Sequence, residues 1–275
     1  MKRVDSHQHF WQLSRGDYDW LTPELDILYR DCLPTELSPL LAESQVNQTI
    51  LVQAAATTAE TEFMLQLAAE NDFVAGVVGW VDMTSDNAVS DIEKFSQNPY
   101  FKGIRPMLQD IDDVNWVLQP KLAPIFELLI AKNLTFDALV LPKHLDALYQ
   151  LLTRYPALNV VIDHGAKPNI SDGSNPEWFE KIALIAAQTS AVCKLSGLVT
   201  EAGNNPQLAQ LQPYMAHLLQ CFGPTRLMWG SDWPVLDLSS NYKSWLEQAE
   251  DFFKPLTCSE QQSIWAGTAT NFYRL

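Results

Sequence analysis

Short apolar or β-rich runs alternate with longer amphipathic stretches along the whole chain. The runs Arg3–Phe10, Thr49–Ala54, Val74–Asp82, Gly103–Leu108, Leu134–Leu141, Asn159–His164, Ala191–Leu198 and Leu227–Trp233 read as strands. Between them apolar residues recur every three to four positions, as Phe63, Met64, Leu67 and Ala68 do within Thr58–Asn71. The same spacing predicts helices over Asp86–Gln97, Lys121–Asn133, Lys143–Tyr155, Asn175–Thr189, Gln207–Phe222 and Tyr242–Phe253, with a first helix within Glu36–Gln45. Pro156 and Gly223-Pro224 supply stop signals for two of them. Eight strands, each followed by a helix, is the count a closed α/β barrel needs, and 275 residues suits one such domain. The predicted fold is a single-domain (β/α)8 TIM barrel over residues 1–275. The alternative, an open doubly wound sheet, usually has fewer strands and a glycine-rich first turn, and no GxGxxG or Walker-type loop occurs here.

Composition narrows the partners. The formal net charge is −15 and the eighteen Lys and Arg are scattered, so a polyanion such as nucleic acid is not an expected partner. No apolar run is long enough to span a membrane, and the N-terminus enters a strand pattern without an apolar signal segment. A cytoplasmic protein with no membrane partner is expected. Cys32, Cys193, Cys221 and Cys258 form no CxxC pair and read as reduced thiols.

Two connections are long, from Trp11 to about Thr35 and from Gln109 to Pro120. Both leave the C-terminal ends of strands, the face on which barrel enzymes place their chemistry. They carry Trp11, Tyr18, Trp20, Tyr29 and Trp116, flat surfaces that either cover a small polar ring or pack the loops onto the barrel.

Candidate chemistry gathers at that same face. Strand alternation places Asp5, His7 and His9 on one side of the first strand and Ser6 and Gln8 on the other. Two imidazoles one pleat apart can converge on a cation or hydrogen-bond one substrate oxygen. The run Val160-Val161-Ile162-Asp163-His164 ends in a histidine, Leu227–Trp233 carries Asp232 near its end, and Lys102-Gly103-Ile104-Arg105 places an arginine at the same level of strand four. An interior carboxylate such as Asp232 is costly without a partner or a role. Together His7, His9, His164, Asp232 and Arg105 face one mouth and predict an active site. His144 reads equally as a substrate contact or a surface residue, His217 reads as structural, and strand parity leaves the direction of Lys194 and Ser196 open.

These residues resemble a family. His7-Gln8-His9, His164 and Asp232 are similar to the amidohydrolase superfamily, within it to the L-fuconolactonase-like branch of sugar-lactone hydrolases. Further stretches carry the likeness: Gly16–Leu21, Gly103-Ile104-Arg105, Val161–His164, Cys193–Leu198, Gly230-Ser231-Asp232-Trp233-Pro234 and Gly267–Tyr273. The resemblance implies hydrolysis of a sugar lactone, L-fuconolactone or a relative, to its aldonic acid. Many members of the superfamily hold two metals through a strand-four lysine or glutamate and a strand-five histidine. Here strand four offers Arg105 and strand five has no histidine, so one divalent ion, zinc by its imidazole ligands, is expected on His7, His9 and Asp232, or none at all. In the favoured reading Asp232 is the general base, and His164 and Arg105 assist at the carbonyl. A dicarboxylate-lactone hydrolase, a decarboxylase, a metal-dependent peptide-bond hydrolase and a non-catalytic small-ligand binder are the alternatives.

Overall fold

In a computed structural model, residues 2–173 and 175–275 are described. Eight parallel strands run β1 Val4–Gln8, β2 Gln48–Val52, β3 Val74–Gly79, β4 Phe101–Ile104, β5 Thr135–Ala138, β6 Asn159–Ile162, β7 Val192–Leu195 and β8 Leu227–Trp229. They pair in chain order from β1 to β8. The sheet closes where Gln8 bridges Trp233, His9 N–H donates to the Trp233 carbonyl (2.8 Å) and Asp232 N–H to the His7 carbonyl (2.8 Å). The result is a (β/α)8 barrel, as the strand–helix alternation predicts.

The helices are α1 Pro34–Glu43, α2 Thr58–Glu70, α3 Ala88–Phe95, α4 Ala123–Ala131, α5 Leu145–Arg154, α6 Pro176–Gln188, α7 Leu198–Glu201, α8 Leu208–Phe222, α9 Tyr242–Phe253, α10 Cys258–Gln262 and α11 Thr268–Tyr273. The predicted helices recur, Tyr242–Phe253 with the expected bounds and the others with shifted ends. Pro34 begins α1 two residues before the expected span, consistent with the preference of proline for a first turn. Thr57 caps α2 by accepting the Glu60 N–H, and Asn241 caps α9 by accepting the Ser244 N–H. The terminal segment α10–α11 was not expected, because its short turns carry no full helical period. No described helix is long and apolar enough to cross a membrane.

The barrel interior has two layers. At its N-terminal end Val4, Ile50, Val78, Val161, Val192 and Met228 pack with Ala266, Ala269 and Tyr273, so α11 and the turn before it plug the bottom. Above that apolar plug the interior turns polar, with Asp137, Asp163, Lys194 and His7 all fully buried. Such a layer gives little stability for the desolvation it incurs, so its place on the inner face points to chemistry.

Candidate active site

His7 lies on β1, and His9, Arg105, His164 and Asp232 each sit just beyond a strand end. The five side chains converge, as their placement in the sequence predicts. His7 Nε2 is 3.2 Å from His9 Nε2, and Asp232 Oδ1 lies 3.3 Å from His9 Nε2, 3.7 Å from His7 Nε2 and 3.8 Å from His164 Nε2. Arg105 Nη1 approaches His7 Nε2 at 3.3 Å, and its Nη2 donates to the Gln53 carbonyl. Because the seam bonds of the barrel come from the backbones of His9 and Asp232, barrel closure itself fixes these two groups against each other.

Asp5 does not join them. The β1–β2 register shifts between Asp5 and Gln8, and the Asp5 carboxylate instead accepts from the Ser231 N–H (2.8 Å) and from the Tyr242 hydroxyl of α9 (3.0 Å). An irregularity of this kind breaks the two-residue alternation from which a shared face was expected. His144 is also drawn elsewhere. Its Nδ1 accepts the Leu141 N–H at 3.0 Å, and it lines a separate shallow cavity with Trp116 and Leu108. His217 is structural, its Nε2 donating to the Phe179 carbonyl at 2.9 Å.

Two site residues hold unusual backbones. His164 (φ 54°) and Asp232 (φ 62°) are left-handed, and Ala166 and Lys167 continue the turn after His164 with φ 63° and 49°. Such conformations cost about 1–3 kcal/mol per non-glycine residue and persist where the surroundings impose them. Gly197 is one such surrounding: a Cβ there would fall 2.6 Å from His164 Nδ1, and its own φ is +65°. The Ser196 hydroxyl is 2.9 Å from the same nitrogen. The direction of Ser196, open in the sequence, is thereby settled as a support for His164.

Burial and then the nearby Lys194 ammonium hold His7 well below the usual imidazole range. Burial lowers His9 as well and takes His164 down to about 4. Burial alone would raise Asp232, but the charges of His164, His9 and His7 and the hydrogen bond from His9 outweigh it and hold the carboxyl below its ordinary range. Near neutral pH the result is an ionised carboxylate among uncharged imidazoles. The Asp232 lowering belongs to the acid range in which those rings are charged, so its basicity recovers as they lose their protons.

The donor set fits one divalent ion. Ligand atoms about 2.0–2.2 Å from a tetrahedral centre are about 3.3–3.6 Å apart, and the edges among His7, His9 and Asp232 are 3.2, 3.3 and 3.7 Å. His9 Nδ1–H donates to the Val52 carbonyl at 2.8 Å, which leaves its Nε2 lone pair facing the centre. His7, Asp163 and His164 form a second grouping with ligand spacing. An Arg105 Nη1 hydrogen points at His7 Nε2 from 3.3 Å, so Arg105 and a metal ion would compete for that nitrogen.

Several neighbours were not singled out in the sequence. Asp163 and Asp137 lie within 3.0 and 2.6 Å of Lys194 Nζ, and each is a carboxylate in an otherwise apolar strand run, Asp163 directly before His164, which is the signal that marks them. Above the charged centre a cavity of about 240 Å³ opens between Trp11, Trp20, Met107, Leu139, Val235, Gln109, Asp110 and Lys167. This is smaller than the roughly 300–1,000 Å³ of drug-sized sites and suits one small ring. Of the loop aromatics, Trp11 and Trp20 line it. Tyr18 anchors the loop instead, and Tyr29 and Trp116 face elsewhere.

A parallel barrel with imidazoles and a strand-eight aspartate at its C-terminal mouth defines the class of the amidohydrolases. Residues 4–275 match the amidohydrolase family, and the chain belongs to it. It is 44% identical to an L-fucono-1,5-lactonase of Burkholderia ambifaria, over 99% of this chain and 96% of that protein. A second L-fucono-1,5-lactonase, from Burkholderia multivorans, is 34% identical over 99% and 96%. Among solved structures, a zinc-bound amidohydrolase from Burkholderia multivorans superposes with a TM-score of 0.94 at 35% identity, covering all of both chains.

Proposed function

We propose that this protein hydrolyses a neutral sugar 1,5-lactone, L-fucono-1,5-lactone or a close relative, to the open aldonic acid. The observation that carries the reading is the Asp232 carboxylate, set among the Nε2 atoms of His7, His9 and His164 at the floor of a monosaccharide-sized cavity. The two lactonases similar over the full chain support the substrate class.

Asp232 takes a proton from water as the water oxygen attacks the lactone carbonyl carbon. The carbonyl electrons move onto oxygen, where Arg105, His164 and His7 offer positive charge or N–H donors. The tetrahedral centre then expels the ring oxygen, which accepts the proton held by Asp232 and leaves as a sugar hydroxyl. Trp11, Trp20, Leu139 and Val235 receive the C–H faces of the ring, and Gln109, Asp110 and Lys167 receive its hydroxyls. A divalent ion, zinc in this reading, would be held by His7, His9 and Asp232 and would supply Lewis-acid polarisation of the carbonyl.

Acidic substrates fit this cavity poorly. The carboxylates of Asp110 and Asp232 line it, both terminal nitrogens of Arg105 are already engaged by Gln53 and His7, and the other lining cation, Lys167, stands 3.9 Å from Glu201. Proton release is the test, measured across L-fucono-, L-rhamnono- and L-galactonolactone against a pyrone dicarboxylate and an aromatic acid. Turnover of the neutral lactones is expected. Preference for the dicarboxylate, or release of carbon dioxide from the aromatic acid, would overturn the reading.

A further inference from the structure

The wall of the cavity carries a cation whose place is set by the same turn that sets His164. Lys167 ends a turn in which His164, Gly165, Ala166 and Lys167 are all left-handed, with φ between 49° and 63°. Such a run persists only where the surroundings impose it. The Lys167 N–H donates to the His164 carbonyl at 2.9 Å, and Trp178 Nε1 donates to the Gly165 carbonyl at 2.7 Å. The turn that places His164 at the reacting centre therefore also places Lys167 on the cavity wall.

The ammonium has a carboxylate beside it that is itself anchored. Glu201, the last residue of α7, has its Oε1 3.9 Å from Lys167 Nζ. That separation is an ion pair but is too long for a hydrogen bond, so the ammonium hydrogens stay available to a substrate. The Glu201 carbonyl accepts the Ser171 N–H at 3.1 Å, which ties α7 to the segment that follows Lys167. Burial raises the Glu201 carboxyl, the Lys167 ammonium opposes the rise and the Asp232 charge adds to it. Lys167 and Asp232 both bear on Glu201, so the pair stands close to the reacting centre.

An ammonium at this place has two uses open to it: the oxygens that react, or a ring hydroxyl beside them. The reacting oxygens already have Arg105, His164 and His7 at the carbonyl and the Asp232 proton at the ring oxygen. The hydroxyls need donors of their own, and a charged donor binds a hydroxyl oxygen more strongly than a neutral one. We propose that Lys167, steered by Glu201, is the specificity-determining residue of the site, donating to a ring hydroxyl beside the reacting carbonyl so that a hydroxylated lactone is preferred to a bare one. Glu201 is a positioning residue that acts through Lys167. The proposal rests on the reading of the cavity as a lactone site.

The test is a ratio between two substrates. Steady-state kcat/KM is measured on L-fucono-1,5-lactone and on δ-valerolactone, which has the same ring and carbonyl but no hydroxyl. In Lys167→Met the ratio of the first to the second is expected to fall about tenfold to a hundredfold, the span of one charge-assisted hydrogen bond. A wild-type ratio would overturn the proposal even if both rates fell, because it would place the ammonium at the reacting bonds or in the framework. Glu201→Gln keeps the shape of the side chain and removes its charge, and is expected to lower the same ratio by a smaller factor. An unchanged ratio there would overturn the steering role. Binding separates this inference from the reaction. The δ-lactam of the same sugar keeps the hydroxyls and resists hydrolysis, and calorimetry is expected to show its affinity for Lys167→Met reduced by a similar factor. Undiminished affinity counts against the proposal. Reduced affinity without turnover of any lactone would remove the proposed reaction and leave the hydroxyl contact standing.

Discussion

Two clusters of buried charge flank the cavity, and they differ in how their groups are held. Below the loop after β1, both Glu60 oxygens have partners: Oε1 accepts the Ala54 N–H at 3.1 Å and Oε2 the Tyr18 hydroxyl at 2.8 Å, with Arg15 at 3.4 Å. Arg15 also bonds Asp17 and the Tyr18 oxygen, and its guanidinium lies 4.4 Å from the Phe63 ring. No non-glycine residue of that cluster has a positive φ. At the candidate site the pattern reverses. His164 and Asp232 are left-handed, Arg105 Nε has no hydrogen-bond partner, Asp163 is held by the charge of Lys194 3.0 Å away without an aligned hydrogen bond, and two imidazole nitrogens face each other at 3.2 Å. Burial of charge is thus common to anchor and active site. Left-handed backbone at two functional side chains, together with facing ring nitrogens, is what separates the candidate site from this anchor, since Asp17 Oδ1 of the anchor is itself unmatched.

The sharpest way to break this comparison is to neutralise one carboxylate in each cluster. Asp232→Asn is expected to lower kcat/KM by about 10²–10⁴, the range of a lost general base, while its melting temperature stays close to wild type. Near-full activity in a steady-state assay would remove the base assignment. Glu60→Gln is expected to do the converse, leaving kcat close to wild type.

A smaller effect separates the clusters by metal. Zinc at about a hundred times its dissociation constant stabilises a binding-competent fold by about 2.7 kcal/mol. Calorimetry with and without zinc is expected to show that rise in wild type and in Glu60→Gln, and none in His9→Asn. An equal rise in His9→Asn would place the ion elsewhere.

Glu60 also carries a signature in pH. Burial raises its pKa to about 7 from 4.5, against the opposing bonds from Ala54 and Tyr18 and the Arg15 charge. Between those values the folded chain binds more protons than the unfolded one, so stability is fully present below about pH 4.5 and is lost as pH rises through about 7. The wild-type stability relative to Glu60→Gln is expected to fall by up to about 3 kcal/mol across that window. Denaturant titrations at both ends measure it, and a flat difference would show that Glu60 stays ionised throughout.

Much of this contrast is legible in the sequence itself. Apolar runs ending in His164 and near Asp232, and the pair His7 and His9, mark strand ends because such residues interrupt an otherwise buried pattern. The barrel order follows from eight strand–helix repeats. What stayed hidden depends on register and distance. Asp5 leaves the shared face because β1 and β2 slip by one position, and a slip has no composition of its own. Lys194 could point either way on β7, and its partner Asp137 lies fifty-seven positions away in sequence. The bond from Tyr273 to Asp137 spans half the chain and is set by the docking of α11. The left-handed turn at His164 is equally invisible, since only one of its residues is glycine.

The smallest expected effect lies at the rim, where the two clusters meet. Trp20 belongs to the loop that Glu60 anchors. Its ring stands edge-on to Trp11 with centroids 5.3 Å apart, and its Nε1 donates to the Ala54 carbonyl at 2.8 Å. It lines the cavity while remaining 37% exposed, so only part of its apolar area is available to a sugar ring. Trp20→Ala is expected to raise KM about fivefold, a loss on the order of 1 kcal/mol in ground-state and transition-state binding alike, with kcat changed by less than about twofold. Trp20→Phe keeps an aromatic wall and loses the bond to Ala54, so its KM is expected between the two. A collapse of kcat in either variant would show that the loop completes the reacting geometry, and the line drawn between anchor and active site would have to move to include it.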